Sequence, residues 1–299
     1  MDGPAGTTDL DLRLVRYFTV VAEHRHFGRA ATALHITQPS LSRQVRRLEQ
    51  VLGARLLDRT PSGTRLTEAG EAFLPRARAL LRAAAQAAAV ARAAAEPHRI
   101  TIGYATGVYV TPAVRELRRG FPDADVRTAH MHWQEAREAL LEHRVDAFVA
   151  RLPFPVEGLR VTVLYDEPRV LVVPVGHRLA GKESVTLDDI ADEPLPRVGD
   201  PVRDAFWRID PRPDGRPAPD GPYVDDFEDK FELVASGRTL AITAGVPGLQ
   251  IRPDLTTVPL HGVKPSQVVL ATRAGDDGRL LAAFRTSAEA LLTGPGEDR

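Results

Sequence analysis

The chain of 299 residues contains no cysteine, which excludes disulfide frameworks, thiolate zinc sites, a cysteine nucleophile and thiol-based redox sensing. Lysine is nearly as scarce, with Lys182, Lys230 and Lys264 set against an otherwise all-arginine complement, a bias of genomic base composition before function. No apolar run reaches membrane-spanning length, since the Ala-rich tract at 83–95 is broken by Gln86 and Arg92. Residues 1–11 are small, polar and acidic, without the basic start and apolar stretch of a signal peptide, so a cytoplasmic location and no membrane partner are expected. Walker A, G-x-G-x-x-G, G-x-S-x-G and zincin motifs are missing, which tells against the commonest enzyme classes. A strong overall charge is missing too, the formal net value being −1.

That average hides an asymmetry. Residues 1–66 carry ten Lys and Arg against six Asp and Glu, residues 67–97 carry four against three, and 98–299 must therefore hold −6. A basic head on an acidic body suits a protein whose N-terminal part alone meets phosphates. The length is also a soft prior for two domains rather than one.

The most informative stretch runs from Phe27 to Leu66. A short helix containing Arg29, Ala30, Ala31, Ala33 and Leu34 meets a polar break at His35, Ile36 and Thr37. A second helix follows, opened by Thr37 and Gln38 with Pro39 in the first turn, where a missing N–H costs least, and stopped by Gly53. Leu41, Val45, Leu48 and Leu52 share one helix face, while Ser40, Ser42, Arg43, Arg46, Arg47 and Gln50 occupy the others. This is the pattern of a helix-turn-helix, although an amphipathic pair with a solvated basic face would share it. The next segment, 56–67, reads as a hairpin around Pro61-Ser62-Gly63, which makes the motif winged and sets Arg59 and Arg65 beside DNA. Upstream, a helix over about 12–23 buries Leu14, Tyr17, Phe18, Val21 and Ala22. His24, His26 and His35 suit surface or capping roles better than a metal, because no ligand spacing supports one.

From about Leu10 to Arg78, without a gap, the sequence resembles the N-terminal domain of LysR-type transcriptional regulators, most specifically in Thr37-Gln38-Pro39-Ser40-Leu41-Ser42-Arg43-Gln44. The resemblance implies that Gln38, Pro39, Ser42 and Arg43 enter the major groove of double-stranded DNA, with Thr37 in the same string and Ser40 and Arg46 on phosphates. Arg43 is then the candidate for bidentate reading of guanine, and Gln38 for an adenine or a phosphate. The wing departs from the family pattern: Thr60-Pro61-Ser62-Gly63-Thr64 lacks the basic residue many relatives carry, leaving Arg59 and Arg65 to hold phosphates.

Thr67 caps a long helix that carries acids in its first turn and runs to about Ala95, with Leu74, Leu81, Ala84, Ala88, Ala91 and Ala95 in a stripe. Taken alone it fits a solvated Ala-rich helix; the resemblance implies antiparallel pairing with a second copy, giving a homodimer and then a homotetramer. Beyond Arg99, strands at 100–104, 125–129 and 146–150 alternate with helices, one of them 134–143, which predicts a mostly parallel sheet. Ligands in such sheets sit beyond the strand C-termini, making Thr106, Tyr109, His130 and Trp133 pocket candidates. His130 and His132 lack a third metal ligand nearby.

The run 159–174 reads as two strands around Asp166-Glu167-Pro168, and with 176–190 it again resembles the family, here its effector domain. That implies a fold of two α/β lobes similar to periplasmic solute-binding proteins, the first using about 98–168 and 266–299, the second about 169–265. A small-molecule effector would lie between them, with Val198, Asp200 and Thr243 on the second side and no cofactor. The segment 200–222 is expected to be an exposed loop around one apolar turn at 205–207. Asp225, Asp226, Glu228 and Asp229 are expected to form a solvated helix face; 240–243 a buried strand, 277–292 a helix and 294–299 a tail. The organisation expected is thus a winged helix-turn-helix at 1–66, a linker helix at 67–97 and an effector domain at 98–299. The function expected is that of an effector-controlled DNA-binding regulator able to contact RNA polymerase. An α/β-lobed enzyme or solute-binding protein with N-terminal packing helices is the alternative, and the missing signal peptide argues against its transport form.

Overall fold

The computed structural model describes residues 9–60, 63–95, 98–224, 227–245 and 252–294. The chain divides into two compact units, Met1–Ala95 and Glu96–Arg299.

In the first unit, α1 (Leu12–His24), α2 (Phe27–Ala33) and α3 (Gln38–Leu52) precede the hairpin β1 (Leu57–Thr60) and β2 (Gly63–Leu66), and then α4 (Glu68–Ala95). Each boundary has a local cause. Asp11 caps α1 by accepting from Arg13 N at 2.8 Å. His26 Nδ1 accepts from the N–H groups of Gly28 and Arg29, so this histidine is a cap. α3 stops at Gly53, whose φ of 66° is costless for glycine. Thr67 caps α4 by accepting from Gly70 N, and its own hydroxyl donates to Arg55 O at 2.6 Å. Phe18, Leu41, Leu48 and Leu56 are fully buried at the centre. The first turns of α4 belong to this core: Ala77 is buried in it, Phe73 lies 5.4 Å from Phe18, and Leu74 and Leu81 pack alongside. The compact unit thus extends past the expected boundary at residue 66 to take in the first turns of α4.

The second unit begins with β3 (Arg99–Tyr104), α5 (Thr111–Gly120), β4 (Asp125–His130), a 3-10 turn at Trp133–Glu135, α6 (Ala136–Leu141), β5 (Ala147–Arg151) and β6 (Leu159–Glu167). It continues through β7 (Arg169–Pro174), β8 (Leu195–Arg197), α7 (Pro201–Arg208), β9 (Asp220–Tyr223), α8 (Phe227–Ala235), β10 (Ala241–Ala244) and β11 (Leu255–Pro259). β12 (Ser266–Arg273) and α9 (Arg279–Leu291) complete it. One sheet has the order β4-β3-β5-β12-β6, and the other β10-β7-β11. β6 and β7 meet at Pro168, and β12 returns the chain from the second sheet to the first. Because β12 enters from the far lobe, it lies antiparallel to both β5 and β6. Parallel pairing is confined to β4-β3-β5 and to a separate two-stranded sheet of β8 and β9, and the β10-β7-β11 sheet is wholly antiparallel, which corrects the mostly parallel expectation.

A second correction concerns 200–222, expected as a loop. Residues 201–208 are helical: Asp200 accepts from Arg203 N at 2.7 Å and Pro201 opens the first turn. Arg208, 2% exposed, fixes the segment by donating to Asp204 (3.0 Å), Asp220 (2.6 Å) and Ala218 O (2.7 Å). The wing tip Pro61-Ser62, the acids Asp225 and Asp226, and 295–299 of the tail lie outside the described residues, whereas Glu228 and Asp229 are exposed on α8.

Candidate functional site

The helix-turn-helix presents one basic face. Thr37 holds the N-cap position of α3 with extended backbone, yet its hydroxyl makes no capping bond. With Pro39 in the first turn and no acid there, the helix end keeps unfilled N–H groups that favour an anion. Thr37, Gln38, Pro39, Arg43, Arg46 and Arg47 are exposed, and Ser40 is half-buried. Ser42 departs from its expected solvent-facing position, being 9% exposed beside Val45 at the edge of an open groove that Arg46 and Glu49 also border.

On the wing, Arg65 is exposed and pairs by register with Asp58, while Arg59 contributes only its backbone to the described structure, opposite Thr64. Glu49 is a positioning residue that the sequence did not disclose. Its carboxylate accepts from Leu56 N (2.8 Å) and Leu57 N (3.2 Å), tying the end of α3 to the start of the wing. Thr64 N donates to Arg25 O at 2.9 Å, which anchors the other strand to the α1–α2 turn.

The second unit holds a cavity of about 590 Å³ between its two sheets, within the usual size range for small-molecule sites. Thr106, His130 and Trp133 line it from the first lobe, and Val198 and Thr243 from the second. Thr106 Oγ1 and His130 Nε2 are 3.0 Å apart. Two expected residues lie elsewhere: Tyr109, 79% exposed, sits on the turn before α5, and Asp200 is spent as the cap of α7. His132 accepts from Gln134 N, and no group of three or more metal-ligating side chains occurs among the described residues.

The lining also includes Arg151, Arg203, Trp207 and Lys230. Arg151 is at the C-terminal end of β5, where the strand-end rule would have found it. It forms a two-pronged pair with the buried Glu167 (2.6 and 3.0 Å) and donates to the carbonyls of Thr106 and Gly107, so it braces the wall. Arg203 reaches from α7 to donate to Pro153 O at 2.9 Å in the other lobe, its guanidinium 4.3 Å from the Trp133 ring and 5.7 Å from Trp207. Burial, then the neighbouring Arg151, lower its pKa to about 10. Lys230 on α8 is pushed down to about 7, by burial first and then by Arg203 and Arg151. The only sequence signal for Arg203 and Trp207 was the misread helix, and Lys230 was hidden among acids.

Comparison with known proteins agrees with this arrangement. The family described as "LysR substrate binding domain" matches residues 91–292, and "Bacterial regulatory helix-turn-helix protein, lysR family" matches 12–71. HTH-type transcriptional regulator AlsR of Bacillus subtilis is 37% identical over 191 residues, which cover 62% of this chain and 63% of AlsR. A probable hydrogen peroxide-inducible genes activator of Mycobacterium xenopi is 37% identical over 57% of this chain and 93% of its own length. The solved structure of full-length CbnR complexed with its target DNA superposes with a TM-score of 0.53 at 25% identity, covering 93% of this chain and all (100%) of that one. In the described residues no helix is long and apolar enough to cross a membrane. On these matches, which take in both the head and the two-lobed body, the chain belongs to the LysR family of transcriptional regulators.

Proposed function

We propose that this protein is a cytoplasmic, sequence-specific DNA-binding regulator in which α3 reads the major groove and a small molecule in the interlobe cavity controls the outcome. The observation that carries the reading is the exposed Arg43, Arg46 and Arg47 face of α3 beside an anchored wing, in a chain of the LysR family. In this reading Arg43 and Gln38 contact base edges, Ser40, Arg46, Arg59 and Arg65 hold phosphates, and the ends of Thr37 and Pro39 deliver the helix to the groove. Ser42 packs at the helix edge and steers its neighbours. The exposed Ala88 and Ala91 of α4 support pairing of two copies through that helix, and two such dimers would make the tetramer.

Occupancy of the cavity shifts a pre-existing equilibrium between lobe arrangements, and through the dimers changes DNA bending and contact with RNA polymerase. Thiol oxidation is not the signal, whatever the M. xenopi relative responds to, since the chain has no cysteine. Footprinting on the DNA upstream of the protein's own gene tests the reading. Protection of two half-sites is expected, and a ligand that fills the cavity should change the footprint length or bend angle. Uniform cleavage along the fragment would refute DNA recognition, and an unchanged footprint with the cavity filled would refute the coupling.

A further inference from the structure

The turn between α1 and α2 holds a backbone outlier that packing does not explain. Arg25 ends α1 in the left-handed conformation, with φ 50° and ψ 22°, and its N–H closes the helix on Val21 O at 2.9 Å. Glycine takes this conformation freely, whereas a residue with a Cβ is strained by it. The Arg25 side chain is exposed, so burial does not offset the strain. Two close approaches fix where the turn lies. On one side Thr64 N of β2 donates to Arg25 O, and Gly63 runs so near that a Cβ there would lie 2.8 Å from the same oxygen. On the other side a Cβ on Gly28 would lie 3.0 Å from His26 Cε1 and 3.6 Å from Oε1 of Gln38, the first residue of α3. The turn therefore sits between the start of α3 and the wing. Arg29, its exposed neighbour, is turned back to donate to His24 O at 3.0 Å. The wing-tip sequence Thr60-Pro61-Ser62-Gly63-Thr64 contains no cation, and Arg25 brings one beside it from another element.

We propose that Arg25 is a further DNA contact, its guanidinium held on a phosphate of the strand that divides the groove read by α3 from the neighbouring groove under the wing. The proposal rests on the reading of α3 as the helix in the major groove: with α3 there, the dividing strand crosses the turn that joins the two elements. A phosphate contact carries no sequence information, so Arg25 adds affinity on every duplex and positions the head without choosing its site. The strained backbone is then explained by the work of the side chain it carries.

Arg25→Gly separates this role from folding, because glycine relieves the strained backbone while the guanidinium is deleted. In the full-length protein this variant should melt no lower than the wild type, yet bind DNA roughly tenfold more weakly at about 100 mM salt. The loss should be the same on the DNA upstream of the protein's own gene and on an unrelated duplex of equal length. The slope of log affinity against log salt should become shallower by about 0.9 for each head bound. Arg25→Lys and Arg25→Gln share the strained backbone and differ in charge, so they read the contact even if glycine lowers the melting temperature. Lysine should keep the wild-type slope, and glutamine should lose the same 0.9 or so per head. Wild-type affinity and slope in Arg25→Gly, a loss confined to the upstream DNA, or equal slopes for the lysine and glutamine variants would each overturn the contact. A wild type without preference for the upstream DNA would overturn the functional reading beneath it. A wild type with that preference, beside an Arg25→Gly variant indistinguishable from it, would leave the reading standing and remove this contact alone.

Discussion

Arg43 and Arg65 are both exposed cations on the head, and the proposed reading gives them different work. Arg43 projects from the second turn of α3, where a bidentate contact to guanine discriminates by about 1–3 kcal/mol. Replacing it with alanine should relax preference at one base position, as read by binding to a set of single-base operator variants. Arg65 stands on the wing, so its alanine variant should weaken all DNA sequences alike and flatten the salt dependence by about one unit of slope. Equal behaviour of the two would show the division of roles to be wrong. Lys230 gives a pH-dependent prediction. Its pKa is lowered to about 7, so its ammonium is intact at pH 6 and largely lost by pH 8. An anionic ligand stabilises the charged form, so the affinity of any anion bound in the cavity should fall as pH rises across that interval, by less than tenfold per unit. Arg203 on α7 and Arg151 on β5 face it, Glu228 shares its helix, and His130 and His132 line the same cavity. The Lys230→Met variant should remove the lysine's part of the fall while leaving those groups in place, and a fall of undiminished size would assign the effect elsewhere.

At the scale of elements, α4 and α7 show what the sequence could and could not disclose. The start of α4 was legible because capping chemistry is local: Thr67 and the acids after it specify a helix N-terminus whatever lies around them. Its role in the head core was not, because Phe73 and Ala77 become core residues only when α1 is packed against them. Gly70 marks a second close approach, to the segment entering the wing, since a Cβ there would collide with the carbonyl oxygen of Leu56. Gly70→Ala should destabilise the head by about 1–3 kcal/mol, the usual cost of overpacking, and lower DNA affinity with it; an unchanged melting temperature would contradict the contact. α7 was misread because its Pro, Asp and Arg content imitates a loop. The same residues are its structural basis: Asp200 and Pro201 open it, and Asp204 holds the buried Arg208 one turn on. Arg208→Met would strand carboxylates paired to it, at about 3 kcal/mol or more, which in a unit of this size lowers the melting temperature by roughly 6–12 °C. A loss below a degree would mean that Arg208 does not hold the segment. The pocket residues missed from the sequence, Arg203 and Trp207, were lost with this helix.

Over the whole molecule, charge is unevenly divided, with a balance of +4 over residues 1–66 and −6 over 98–299. Exposed arginines remain on α3 and the wing, while the acidic body encloses a cavity whose lining cations run against its overall sign. Electrostatics of this kind makes DNA affinity a steep function of salt, whereas base reading sets preference among sequences and survives it. The most direct test is therefore the affinity of the full-length protein for its upstream DNA, measured by fluorescence anisotropy between about 50 and 200 mM salt, beside an unrelated duplex of equal length. Affinity for the upstream DNA should fall linearly on logarithmic axes while remaining well above that for the unrelated duplex at every salt concentration. Equal affinities for the two duplexes, or an affinity indifferent to salt, would contradict the account.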